Sequence, residues 1–153
     1  MFTFIKQYKV LLCIYIVMKT TIYKIKFKDG KTILTNDRPS IADEYNRIYR
    51  DKEGFKEFNI NTINGMLYNK NKLKKDIEAF DRFSYREYYK DYIEQYEKTL
   101  NSSLKSTPLK KTYVRVRTNN VLNMIFDIES NYINNNKDIT EMEQRIQQAI
   151  SIH

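Results

Sequence analysis

An alternating stretch interrupted by Asp29-Gly30 constrains this chain more than any other feature. Ahead of the break, Ile22, Lys24, Lys26 and Lys28 interleave with Tyr23, Ile25 and Phe27; behind it, Lys31-Thr32-Ile33-Leu34-Thr35 resumes the extended pattern. Strand side chains point alternately to opposite faces. Asp-Gly between two such runs supplies the tight turn that joins antiparallel strands. Residues 21–35 are therefore expected to form a hairpin with Tyr23, Ile25 and Phe27 packed on helices. Lys24, Lys26 and Lys28 share its other face, which is either solvated or turned toward a polyanion.

Helical spacing follows. A helix is expected from about Pro39 to Arg50, with Ile41, Ala42, Tyr45, Ile48 and Tyr49 on one face. Proline suits the first turn, where a missing N–H costs nothing, and Ser40 with Asp43 has the spacing of a capping box. A short helix is expected over Asn61–Asn69, with Ile63, Met66 and Leu67 inward; its Gly65 costs about 1 kcal/mol relative to alanine. Residues 72–80 continue helically, with Leu73, Ile77 and Phe80 on one side. Ser84-Tyr85-Arg86-Glu87 is a capping box, after which Tyr85, Tyr88, Tyr89, Tyr92, Ile93, Tyr96 and Leu100 recur at helical spacing up to about Asn101. This tyrosine stripe is either a core face whose hydroxyls reach the rim or a surface for a protein partner.

Residues 101–109 have the composition of a linker. Lys105, Lys110, Lys111, Arg115 and Arg117 follow one another with no acidic residue between 102 and 118. Thr112–Arg117 alternates as a strand, with Val114 and Val116 inward and Tyr113, Arg115 and Arg117 outward. That outer face is either a stacking-plus-phosphate surface or an edge strand protected by charge. Two helices close the chain, over about 120–133 (Val121, Ile125, Ile128 and Tyr132 inward) and 139–150 (Ile139, Met142, Ile146 and Ala149 inward, with Thr140 and Glu143 placed to cap it). The expected fold class is α+β: a small antiparallel sheet with four to six helices packed mainly on one face.

Residues 1–17 stand apart as an apolar arm ahead of a single domain over 18–153. Lys6 and Lys9 precede the eight-residue apolar run Val10–Val17, too short for a membrane-spanning helix, which takes about 20 residues. The arm has the first two parts of a signal peptide without a small-residue cleavage site. It is expected to be a buried strand or docked extension, or an upstream extension with Met18 as the native start. No membrane association is expected.

Composition narrows the chemistry. A formal charge of +8 and a pI of about 9.4 favour polyanions, unless they simply mark a lysine-rich surface. The single cysteine, Cys13, excludes an internal disulfide framework and a thiolate zinc site, and suits a reducing compartment. The one histidine is His153, the last residue, which removes Ser-His and Cys-His nucleophile systems. No glycine loop that cradles phosphate is present. The carboxylate pairs Asp76 with Glu78 and Glu94 with Glu97 lie among ordinary helix surface charges. No catalytic centre, metal site, cofactor or small-molecule substrate is expected. Lys, Asn, Ile and Tyr are heavily used, and their AT-rich codons point to a low-GC genome.

Three stretches together carry a resemblance: Tyr23-Lys24-Ile25-Lys26-Phe27-Lys28-Asp29-Gly30-Lys31, Ser40-Ile41-Ala42-Asp43-Glu44-Tyr45 and Asn61-Thr62-Ile63-Asn64-Gly65-Met66-Leu67-Tyr68-Asn69-Lys70. Residues 21–72, about a third of the chain, resemble small hairpin-plus-helix-turn-helix modules of phage and homing-endonuclease-associated DNA-binding proteins. The connection over 51–60 is longer than the short turn usual in that family. The resemblance implies that Asn61, Thr62, Asn64 and Lys70 contact bases or phosphates. If the two charged strands share a sheet, Lys24, Lys26, Lys28, Arg115 and Arg117 add one phosphate-binding surface with Tyr113 on it. The expected function is a non-enzymatic nucleic-acid-binding protein, for DNA or RNA, of viral or phage origin, acting in the host cytoplasm or within a virion. Two alternatives stand beside it. One is a structural subunit of a large assembly, such as a virion or ribosome-like particle, that uses the Tyr85–Tyr96 face or the N-terminal arm. The other is a small inhibitor of a host protein.

Overall fold

The structure, a computed structural model, describes residues 21–69, 71 and 73–152. The expected N-terminal arm and Lys70 lie outside the described residues.

Strands β1 (Thr21–Phe27) and β2 (Thr32–Thr35) form the expected hairpin. Gly30 takes φ +93°, a conformation in which any Cβ is strained. Asp29 Oδ1 accepts the Lys31 N–H at 3.0 Å, and the Phe27 N–H donates to the Lys31 carbonyl at 2.9 Å. A third strand, β3 (Ile77–Ser84), pairs antiparallel with the far side of β1, giving the order β2-β1-β3. This corrects the expected helix through residue 80. Ile77 and Phe80, three apart in sequence, pair with Phe27 and Ile25 because the register shifts between Lys26 and Phe27. Such a shift lets residues at a helix-like spacing share one sheet face.

Six helices surround the sheet among the described residues: α1 (Arg38–Tyr49), α2 (Ile60–Tyr68), α3 (Tyr85–Tyr88), α4 (Lys90–Ser103), α5 (Lys110–Asn134) and α6 (Ile139–Ile152). On one sheet face Tyr23, Ile25, Phe27 and Ile33 pack with Ile41, Tyr45 and Tyr49 of α1 and Ile63 and Met66 of α2. The rings of Phe27, Tyr45 and Tyr49 lie 4.8–5.7 Å apart. Ile22 and Leu34 point the other way, into a second core built with α3–α6. The α+β class and the gathering of most helices on one face are as expected; α1 and α2 close the opposite face. Each fully buried aliphatic or aromatic side chain contributes about 1.5–3 kcal/mol, and β1 supplies them to both cores.

Helix starts are capped from outside the residues that suggested them. Asp37 Oδ1, not a Ser40–Asp43 box, accepts the Ser40 N–H at 2.8 Å and starts α1. Asn59 Oδ1 accepts from the Thr62 N–H at 3.0 Å and starts α2. At α6 Asp138 Oδ1 accepts the Thr140 N–H at 2.8 Å. Ser84 does cap as expected, its Oγ accepting the Glu87 N–H at 3.1 Å. The tyrosine helix then breaks at Tyr89 (φ −104°, ψ 25°) before α4 resumes. Tyr85, Tyr89, Ile93 and Tyr96 are buried in the second core. The stripe is therefore mostly interior, with Tyr88 and Tyr92 half-buried at its rim.

The largest departure is α5. Residues 112–117 form no strand; they belong to the opening turns of a 25-residue helix. Val114, Thr118, Val121, Leu122 and Ile125 all bury on one side of it. That stripe extends over three turns, whereas the alternation rested on two valines. Ile139, expected inside, is 61% exposed, while Met142, Ile146 and Ala149 are buried as expected.

Candidate nucleic-acid interface

Helix geometry dissolves the five-cation surface. Arg115 and Arg117, two residues apart, lie roughly 200° apart around α5. Arg115 is exposed; Arg117 is half-buried, with its guanidinium 5.9 Å from the exposed Tyr113 ring. On the sheet, Lys26 is exposed and pairs with Glu78 at 3.8 Å, and Lys28 is exposed in the turn. Ser84, beside Arg86, pairs with Thr21, so Lys26 lies about 16 Å further along the strand.

Lys24 faces inward. Its Nζ lies 3.5 Å from the Tyr88 hydroxyl and 5.6 Å from that ring, and Tyr88 donates to Glu129 Oε1 at 2.8 Å. Glu129 is only 6% exposed. Burial raises its carboxyl above the ordinary range, against the opposing pull of the Tyr88 hydrogen bond and the Lys24 charge. Burial, then the Glu129 charge, raises the Tyr88 hydroxyl. This chain of groups stitches β1 to α3 and α5.

On α2, Thr62 is engaged with Asn59 and Asn64 accepts from Arg38 Nη1 at 2.9 Å. Arg38 also stacks over Tyr68 at 5.8 Å. Asn61 stays exposed.

A different set of cations converges. Where α4 ends and α5 begins, residues 104–109 fold back and leave a cleft of about 850 Å³. Arg86, Lys110, Lys111 and Arg115 line it, with Glu97 as the one carboxylate, so its lining carries four positive charges against one negative. Arg86 lies 3.7 Å from Glu97. Lys110 Nζ donates to the carbonyls of Asn101 and Leu104 at 3.2 and 3.3 Å, where the C-terminus of α4 favours a cation. The start of α5 has no side-chain cap and no acidic residue in its first turn. Two lysines stand there instead, which the helix dipole disfavours. An anion at this end would reverse that penalty.

Val114, Leu122 and Asn119 form the inner part of the cleft. Beside it lies a second hollow of about 330 Å³, lined by Leu104, Lys105, Leu109 and Tyr113 and sharing Thr107 and Lys110 with the first. Leu109 and Tyr113 are 53% and 46% exposed. Cations and apolar surface therefore alternate along one continuous track.

Arg115 and Tyr113 are the two sequence-selected residues in this region. Arg86, Lys105, Lys110, Lys111 and Asn119 were not selected. Read as one helix, the spacing Lys111, Arg115, Asn119, Leu122 would have revealed the cleft wall, because positions three or four apart share a face.

Among the described residues no group of three or more His, Cys, Asp or Glu is placed to hold a metal ion, and no helix is long and apolar enough to cross a membrane. No protein-family model matches the chain, and no curated protein or solved structure matches it.

Proposed function

We propose that the protein binds nucleic acid through the α4–α5 cleft and its neighbouring hollow, as a binding module rather than an enzyme. The single observation that carries this is the uncapped N-terminus of α5 bearing Lys110, Lys111 and Arg115 across from Arg86. Phosphates would meet the cations, and Tyr113 and Leu109 offer an apolar platform for a base. The concave, interrupted shape suits a single strand better than a duplex. The alternative of an assembly subunit loses its tyrosine surface, which is mostly interior.

Fluorescence anisotropy with a labelled single-stranded oligonucleotide at two salt concentrations tests the reading. Lys111→Ala with Arg115→Ala should weaken binding for every sequence. It should also flatten the salt slope by about 0.7 for each phosphate that is no longer neutralised. An unchanged slope, or no binding by the unaltered protein at low salt, overturns it.

A further inference from the structure

We infer that the cleft receives one whole nucleotide of a bound strand, with its base held on the amide of Asn119 and its phosphate on the cations of the first turns of α5. This rests on the nucleic-acid reading above and adds a base-binding group to it.

Asn119 is the unexplained residue of the cleft. It is 6% exposed, in the middle of a helix, between the cations and the apolar wall formed by Val114 and Leu122. Its side-chain amide makes no hydrogen bond among the described residues. Its polar atoms are not sealed from solvent, so the amide is left open to the cleft for a partner. Asn119 is a wall residue of the cleft, so that partner can arrive from outside.

The order of groups selects the ligand. Lys111, Arg115, Asn119 and Leu122 succeed one another along a single face of α5. Lys111 and Asn119 are about 12 Å apart along the axis. An anionic group bound at the outer turns therefore presents whatever it carries to an amide and then to an apolar wall. An amide offers two donors and an acceptor in one plane, the complement of a base edge; adenine is the commonest such partner of asparagine. The volume of the cleft, about 850 Å³, is in the range of sites that enclose a small ligand.

Competition by AMP, CMP, GMP, UMP, ribose 5-phosphate and inorganic phosphate against the labelled oligonucleotide tests this. The unaltered protein should bind at least one nucleotide about tenfold or more tighter than ribose 5-phosphate. In Asn119→Ala that margin should vanish while the salt slope for the oligonucleotide stays as it was. Asn119→Asp, which replaces the donors by acceptors at constant shape, should lose the margin too. Because Asn119 is 6% exposed, both variants are checked for folding by circular dichroism and by the retained oligonucleotide salt slope of Asn119→Ala, which a merely unfolded variant would lose. If nucleotides and ribose 5-phosphate compete equally in the unaltered protein, or Asn119→Ala keeps the margin, the inference is overturned and the backbone-binding reading stands. If no oligonucleotide binds even at low salt, that reading itself has failed, and the inference falls with it.

Discussion

Asn134 and Leu34 exchange two hydrogen bonds across 100 residues of sequence. The Leu34 N–H donates to Asn134 Oδ1 at 2.7 Å, and Asn134 Nδ2 donates to the Leu34 carbonyl at 3.0 Å. β2 is an edge strand, and the edge of a sheet exposes a row of unpaired donors and acceptors. The amide at the end of α5 takes the place of a neighbouring strand there. It also fixes where the longest helix sits on the sheet, and hence where its other end, the cleft, lies.

Asn134→Ala should therefore cost about 1–3 kcal/mol in urea unfolding, because both groups of Leu34 lose their partner together. Hydrogen exchange at the Leu34 amide should accelerate more than at Ile33. Asn134→Asp keeps an acceptor for the N–H and loses the donor, so its cost should fall between.

The Lys24–Tyr88–Glu129 chain predicts a contrast between neighbouring lysines. Lys26 forms an exposed pair with Glu78, its side chain 55% exposed, and Lys26→Ala should change stability by less than about 0.5 kcal/mol. Lys24→Ala removes the cation beside a buried carboxylate and should cost about 1–3 kcal/mol. Neither variant should alter the salt slope of nucleic-acid binding. A slope that flattened with Lys24→Ala would restore the sheet face as a phosphate surface.

The same chain predicts a pH dependence. Burial raises the Glu129 carboxyl in the folded state, so above the ordinary carboxylate range the folded protein binds more protons at this site than the unfolded chain does. Its contribution to stability is thus fullest below that range and declines as pH rises through the folded value. Glu129→Gln retains an acceptor for Tyr88 and removes the titration. The melting temperature of Glu129→Gln relative to the unaltered protein should rise between pH 4 and neutrality. A difference that does not change with pH would refute the assignment.

Cap residues allow a direct test of the helix starts. Asp37→Ala and Asn59→Ala should each cost about 1 kcal/mol, whereas Ser40→Ala should cost little. Chemical denaturation of the three variants checks this. A larger effect at Ser40 than at Asp37 would contradict the observed start of α1.

The hairpin, α1, α2, the tyrosine helix and α6 are legible in the residue order alone to within a few residues, and of α5 only the part from about residue 120 is. Asp29-Gly30 demands a turn whatever surrounds it, and stripes such as Ile41–Tyr45–Ile48 recur at a spacing that only a helix places on one face. The excess positive charge is legible there too. Where that charge converges is a matter of packing. Two valines at Val114 and Val116 alternate as well as any short strand, and only packing of the longer Val114–Ile125 stripe against α4 and α6 makes them helical. Ile77 and Phe80 have helical spacing, and a register shift against β1 makes them strand. Arg86, Lys110, Lys111, Arg115 and Asn119 come together because the chain reverses at 104–109 and α5 is anchored at its far end on Leu34. Local spacing carries no information about such a meeting, since the groups belong to different elements and are brought together by burial of apolar faces that none of them forms.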